Sequence, residues 1–156
     1  MKKISLLAFV SIISVLLSAQ TYTGKQTVSP QEKLNNEYCT GLFKTYDGTI
    51  FDLQNENSSK AYLNILGWLQ GRVAGLQVYY QKDRTPVAFI RNTKASIYLD
   101  EILVDPEFLS FLPVSDIAMI KIIKGPFAGA VGNGPGGVIA IYTLKGEDEK
   151  EDIDDN

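Results

Sequence analysis

Two apolar runs near the C-terminal end limit what this chain can fold into. Ile117–Lys124 is apolar apart from Lys121 and its final lysine, and Val138–Thr143 is β-branched or aromatic almost throughout. Runs of this length without polar alternation read as strands covered on both faces. The connection between them is rich in glycine and ends in Gly132-Asn133-Gly134-Pro135-Gly136-Gly137. The expectation is a tight, glycine-bent link between two central strands.

That hexapeptide matches GxGxxG literally, yet a dinucleotide site needs a strand before the motif and a helix opening from it. Here a strand-like run follows, Pro135 interrupts the motif, and no helix N-terminus is available for a pyrophosphate. Lys124-Gly125 lacks the order of a P-loop. Both therefore read as structural.

Upstream, the pattern predicts a strand at Thr49–Leu53 after the Asp47-Gly48 turn. A helix is expected over Lys60–Arg72, capped by Ser58 or Ser59, with Leu63, Leu66, Leu69 and Val73 on its apolar face. Gly71 and Gly75 bracket its end. Leu76–Tyr80, Val87–Arg91 and Ser96–Leu99 read as strands. Asp100-Glu101 reads as a two-residue hairpin loop, with glutamate a poor second choice for positive φ. Asp105 and Pro106 suit a helix start, as cap and first residue, and Pro113 should end that helix. The order predicts an α+β domain: a single small mixed sheet with two short helices packed on it.

The chain has no histidine and one cysteine among 156 residues. Most routes to general acid–base, serine-triad or metal chemistry are closed by that composition. Asp100, Glu101, Asp105 and Glu107 cluster, but charged turn residues explain them without a paired-carboxylate site. No catalytic, cofactor-binding or metal-binding residue is expected. Trp68 and Tyr79-Tyr80 read as packing residues, with stacking on a ligand as the alternative. Arg72 and Arg91 stand at element ends, where either could pair with Asp100 or Glu101 or with carboxylates on a partner.

Lys2-Lys3, the apolar stretch Ile4–Leu17 and Ser18-Ala19-Gln20 have the form of an export signal, residues 1–20. A permanent N-terminal anchor is the alternative. Residues 21–47 read as a flexible lead-in containing Pro30, residues 48–146 as the folded domain and 147–156 as an acidic disordered tail. Cys39 has no internal partner and reads as a small buried residue, with a reactive or intermolecular thiol as the alternative. The formal charge is -3. The signal's two lysines and the tail's net -6 leave the body at +1, with twelve basic and eleven acidic groups. Such a body offers no basic stripe for nucleic acid.

Leu69–Val78 (LQGRVAGLQV), Phe89–Asn92 (FIRN), Ser96–Val104 (SIYLDEILV), Val114–Gly132 (VSDIAMIKIIKGPFAGAVG) and Gly136–Gly146 (GGVIAIYTLKG) occur in a familiar order. In that order they resemble the plug domains of TonB-dependent outer-membrane receptors, over about Lys60 to Gly146. The resemblance implies a small α/β unit that fills a barrel of about 22 strands, with substrate bound on its outer side. It implies motif roles for Gly71, Arg72, Gly75, Arg91, Asp100, Lys124, Gly125, Gly132, Gly136 and Gly137. The sequence departs from the family pattern in four ways. No barrel follows Gly146, no energy-coupling box stands in Thr21–Asn36, and Asp100-Glu101 and Arg91-Asn92 replace the usual Asp-Gly and Arg-Gly. The expectation is an exported, stand-alone, non-enzymatic plug-like module, in the periplasm or on the periplasmic face of the outer membrane. It would dock on a receptor or other envelope protein and meet the membrane only through that partner. The alternative is a plug subunit that takes part in transport with a separately encoded barrel.

Overall fold

The structure is a computed structural model and describes residues 28–41, 43–45, 47–125 and 135–145. The expected signal, the acidic tail and Gly132 lie outside these residues.

The first element falls inside the segment expected to be a flexible lead-in. Helix α1 spans Pro30–Tyr38. Ser29 caps it, its hydroxyl accepting from Glu32 N at 3.1 Å. Pro30, placed by the sequence in the flexible lead-in, occupies the first turn, where its fixed φ and missing N–H cost nothing. Pro30 therefore starts structure here.

Five strands form a mixed sheet in the order β1-β7-β8-β5-β6. They are β1 (Thr49–Asp52), β5 (Ser96–Leu99), β6 (Ile102–Val104), β7 (Ile117–Lys124) and β8 (Gly137–Thr143). Only β5 and β8 pair in parallel; the other neighbours are antiparallel. A second sheet is an antiparallel meander of β2 (Leu76–Tyr80), β3 (Pro86–Ile90) and β4 (Thr93–Lys94). The α+β class is as expected, with the strands divided between two sheets.

The two late apolar runs lie side by side at the centre, because both of their faces are covered. Along β8, Val138, Ala140 and Tyr142 enter one cluster with Tyr38, Cys39 and Phe43, while Ile139 and Ile141 enter the other. That second cluster joins the sheet to Ile65, Leu66, Trp68 and Leu69 and to the meander. A register shift between Ile117 and Met119 sets two β7 residues against one step of β8. Ala118 and Met119 consequently share a face.

The helix expected over Lys60–Arg72 is shorter. A 3-10 turn at Asn57–Ala61 precedes helix α2, which spans only Ile65–Leu69. Its cap is Asn64, whose Oδ1 accepts from Leu66 N at 2.9 Å, rather than Ser58 or Ser59. Leu63 precedes this cap, so it leaves the apolar face and stands 98% exposed. The second expected helix is a 3-10 turn at Pro106–Ser110. Asp105 occupies its cap position but makes no side-chain cap bond.

Candidate interaction surface

The motif residues fall into structural roles that shape the domain's ends and edges. Arg91-Asn92 and Asp100-Glu101 all adopt positive φ, between 46° and 67°. These are the two-residue turns that join β3 to β4 and β5 to β6. Side-chain bonds hold the second turn in place. Asp100 accepts from Thr143 N at 2.9 Å and Thr143 Oγ1 at 2.8 Å. Glu101 accepts from Thr40 N at 2.9 Å, Gly41 N at 3.2 Å and Tyr142 Oη at 3.4 Å. Glutamate, unfavoured for the backbone, thus fastens the segment after α1 to the hairpin.

Gly136 and Gly137 enter β8 where no side chain fits. A Cβ on Gly136 would meet the carbonyl oxygens of Thr93 and Lys94, and one on Gly137 that of Ile123. The glycine pair thereby lets β8 pass close beneath the β4 backbone. A strand, not a helix, opens at Gly137, as the sequence reading of the GxGxxG match requires. Gly71 and Gly75 close the α2 region and Gly125 follows Lys124 at the end of β7.

Arg72 meets neither Asp100 nor Glu101. Its guanidinium lies 4.6 Å from the Trp68 ring centroid and 5.9 Å from that of Tyr62, and it donates to Trp68 O and Ser58 Oγ. Arg91 is exposed, and its backbone N–H donates to Gly75 O at 2.9 Å. Trp68 is buried and donates from Nε1 to Ser58 Oγ, which makes it a core residue. Tyr79 and Tyr80 are exposed on β2, the edge of the meander.

Lys121 is visible in sequence as the cation inside an apolar strand. It is 2% exposed and donates from Nζ to Asn35 Oδ1 and to Phe43 O. Burial pushes its pKa below the usual lysine range. Burial also pushes up the Cys39 thiol, which lies in the same cluster. Among the described residues no group of three or more potential metal ligands occurs, and no buried side-chain polar atom lacks a partner. No helix among them is long and apolar enough to cross a membrane.

What remains free is at the edges. β6 ends the five-stranded sheet, and Ile102, Leu103, Phe108 and Phe111 are exposed along it and the turn that follows. Edge strands of this kind offer unpaired backbone groups to another chain.

No protein-family model matches the sequence, and no curated protein matches it. Solved structures do. The RagAB peptide importer in its closed-closed state matches over 65% of this chain, with 21% identity and a TM-score of 0.52. The match spans 12% of the importer chain. The RagAB peptide transporter matches over 65% of this chain and 13% of its own, at 24% identity and a TM-score of 0.51. The ferric enterobactin receptor PfeA of Pseudomonas aeruginosa, as its R480A mutant, matches over 63% of this chain and 17% of its own. Its identity is 20% and its TM-score 0.50. The fold is the plug of TonB-dependent receptors. In this plug-like fold the central pair β7–β8 has the β5–β6 hairpin beside it. Its glutamate-tied turn shows how that hairpin is held where Glu101 replaces glycine.

Proposed function

We propose that this chain is an exported, stand-alone plug-like interaction module of the outer-membrane and periplasmic envelope, working by contact and not by catalysis. The observation that carries the reading is the division of surface in the plug fold. Both faces of the central sheet are buried by the chain's own elements, while the β6 edge keeps large apolar groups exposed. A partner wall, either a receptor or a related envelope protein, would cover that edge by strand addition or through the loops. The Lys2-Lys3 leader and Ile4–Leu17 supply the export signal in this reading.

The RagAB matches favour a second reading, since the matching chain is that of a peptide importer. There the plug would serve transport with a separately encoded barrel, and deleting it would abolish uptake through that barrel.

Cell fractionation with mass spectrometry of the mature N-terminus tests export, and in-cell crosslinking from β6 positions tests contact. The expected result is a processed chain in the envelope, crosslinked to an outer-membrane protein. An unprocessed cytoplasmic chain, or one with no envelope crosslink, would overturn the proposal.

A further inference from the structure

We infer that the β6 edge and the turn after it dock an extended partner segment in which apolar residues alternate with lysine or arginine. The inference rests on the reading of the chain as an interaction module and names the chemistry of what it contacts.

Three observations converge on this stretch. The first is backbone supply: among the described residues β6 has β5 as its one neighbour in the sheet, so its outer side is an edge. The second is exposed apolar surface within ten residues. Ile102 is 68% and Phe111 76% exposed, with Leu103 and Phe108 also exposed. Leu103, Val104, Asp105 and Pro106 form one wall of a recess of about 440 Å³, and Lys94–Ile97 stand in its other wall. Side chains of an added strand would have both a ridge and a hollow to fill.

The third observation sets the sign of the partner. Ser96 to Ile120 holds five acidic residues and no basic one, and Lys94 is the single cation that lines the recess, alongside Asp105. Three of the five are already used: Asp100 accepts from Thr143, Glu101 from Thr40 and Gly41, and Asp116 from Ser115 Oγ. Asp105 makes no cap bond although it holds the cap position, and Asp105 and Glu107 are both exposed. Their carboxylates flank the apolar groups and favour a cationic segment over an acidic one. Proteins commonly guard free edges with lysine, and β6 carries none.

The test uses the chain as processed by its host and an eight-residue peptide alternating valine and lysine. Three companions accompany it: a glutamate–valine peptide, the valine–lysine peptide N-methylated at alternate residues, and a chain lacking residues 147–156. Binding is followed by anisotropy and amide chemical shifts. The expected result is saturable binding of the valine–lysine peptide with shifts concentrated in Ile102–Phe111. Asp105→Lys with Glu107→Lys should weaken it at least tenfold, N-methylation should do the same, and tail removal should change it less than twofold.

Binding lost with the tail, equal binding of the N-methylated peptide, shifts centred on β1 or β2, or no binding at millimolar peptide would each overturn the inference. A concentration-dependent dimer broken by Asp105→Lys would replace it with self-association. Crosslinking from the double-lysine variant separates this inference from the functional reading. If the variant reaches the same envelope partner at wild-type yield, only the inference falls. If the wild type reaches none, the functional reading falls.

Discussion

Lys121 Nζ lies 2.6 Å from Phe43 O and 2.7 Å from Asn35 Oδ1, so a central strand is bolted through its ammonium to α1 and the segment after it. Lys121→Met keeps the stem's volume but leaves the Phe43 carbonyl without this donor. Loss of a hydrogen bond from a charged donor costs about 1.5–3 kcal/mol. We expect a loss of that size in urea unfolding at pH 7. Faster amide exchange in α1 than in β7 should accompany it.

The alkaline limb of stability should carry two opposing signs. Burial lowers the pKa of Lys121, so between that lowered value and about 10.4 the unfolded chain binds more protons. Its contribution to stability therefore rises with pH across that window. Burial raises the phenols of Tyr38, Tyr98 and Tyr142, the last also through its contacts with Cys39 and Glu101. Their contribution is complete below the unfolded value of about 10 and is lost as pH climbs past it, and the raised Cys39 thiol adds a loss of the same sign from about 8.5. Stability measured by urea midpoint should fall above about pH 10. Tyr142→Phe should move the fall to higher pH, and Lys121→Met should steepen it. An unchanged profile in both variants would defeat the assignment.

Glu101 trades backbone strain for side-chain bonds. At φ 67° a glycine would relieve about 1 kcal/mol. The bonds to Thr40 N and Gly41 N are charge-assisted, each contributing about 1.5–3 kcal/mol where shielded and less at this exposed turn. Stability should rank wild type above Glu101→Gly and Glu101→Gly above Glu101→Ala, with steps of about 1 kcal/mol. Glu101→Gly more stable than wild type would mean the bonds contribute less than the backbone strain they offset.

Gly136 and Gly71 separate close approach from backbone preference. Gly136→Ala drives a Cβ into two fixed carbonyl oxygens and should cost more than 3 kcal/mol or prevent folding, an effect on the order of the largest single-site losses. Gly71 has φ 86° but open space around its Cβ position. Gly71→Ala should cost only about 1 kcal/mol by thermal or urea unfolding.

Arg72 covers the chain's single tryptophan. Arg72→Ala should cost about 1 kcal/mol and shift Trp68 emission to the red, because the stacked guanidinium shields the indole. Arg72→Lys should recover part of the stability but not the shielding, since an ammonium cannot stack as a plane.

Local chemistry was legible and distant chemistry was not. β7 and β8 could be read because unbroken apolar runs leave no solvent face, and both are central. The Asp100-Glu101 turn was readable from its place between two strands. α1 was missed because the polar stretch around Pro30 reads as a lead-in, whereas Pro30 follows a serine cap. The α2 helix was overextended because spacing counted Leu63, whereas Asn64 resets the helix start. The surface carried a weaker signal still. Glu101 binds residues 60 and 61 positions away, and Lys121 reaches back 78, separations at which a sequence offers residue types but no pairing.

β8 is the last strand among the described residues and yet stands third of five in the sheet, parallel to β5 on one side and antiparallel to β7 on the other. A nascent polypeptide emerging from the ribosome therefore has no way to finish this fold piecemeal. Until Thr143 is synthesised, β5 and β7 wait with a gap between them, and the sheet cannot close.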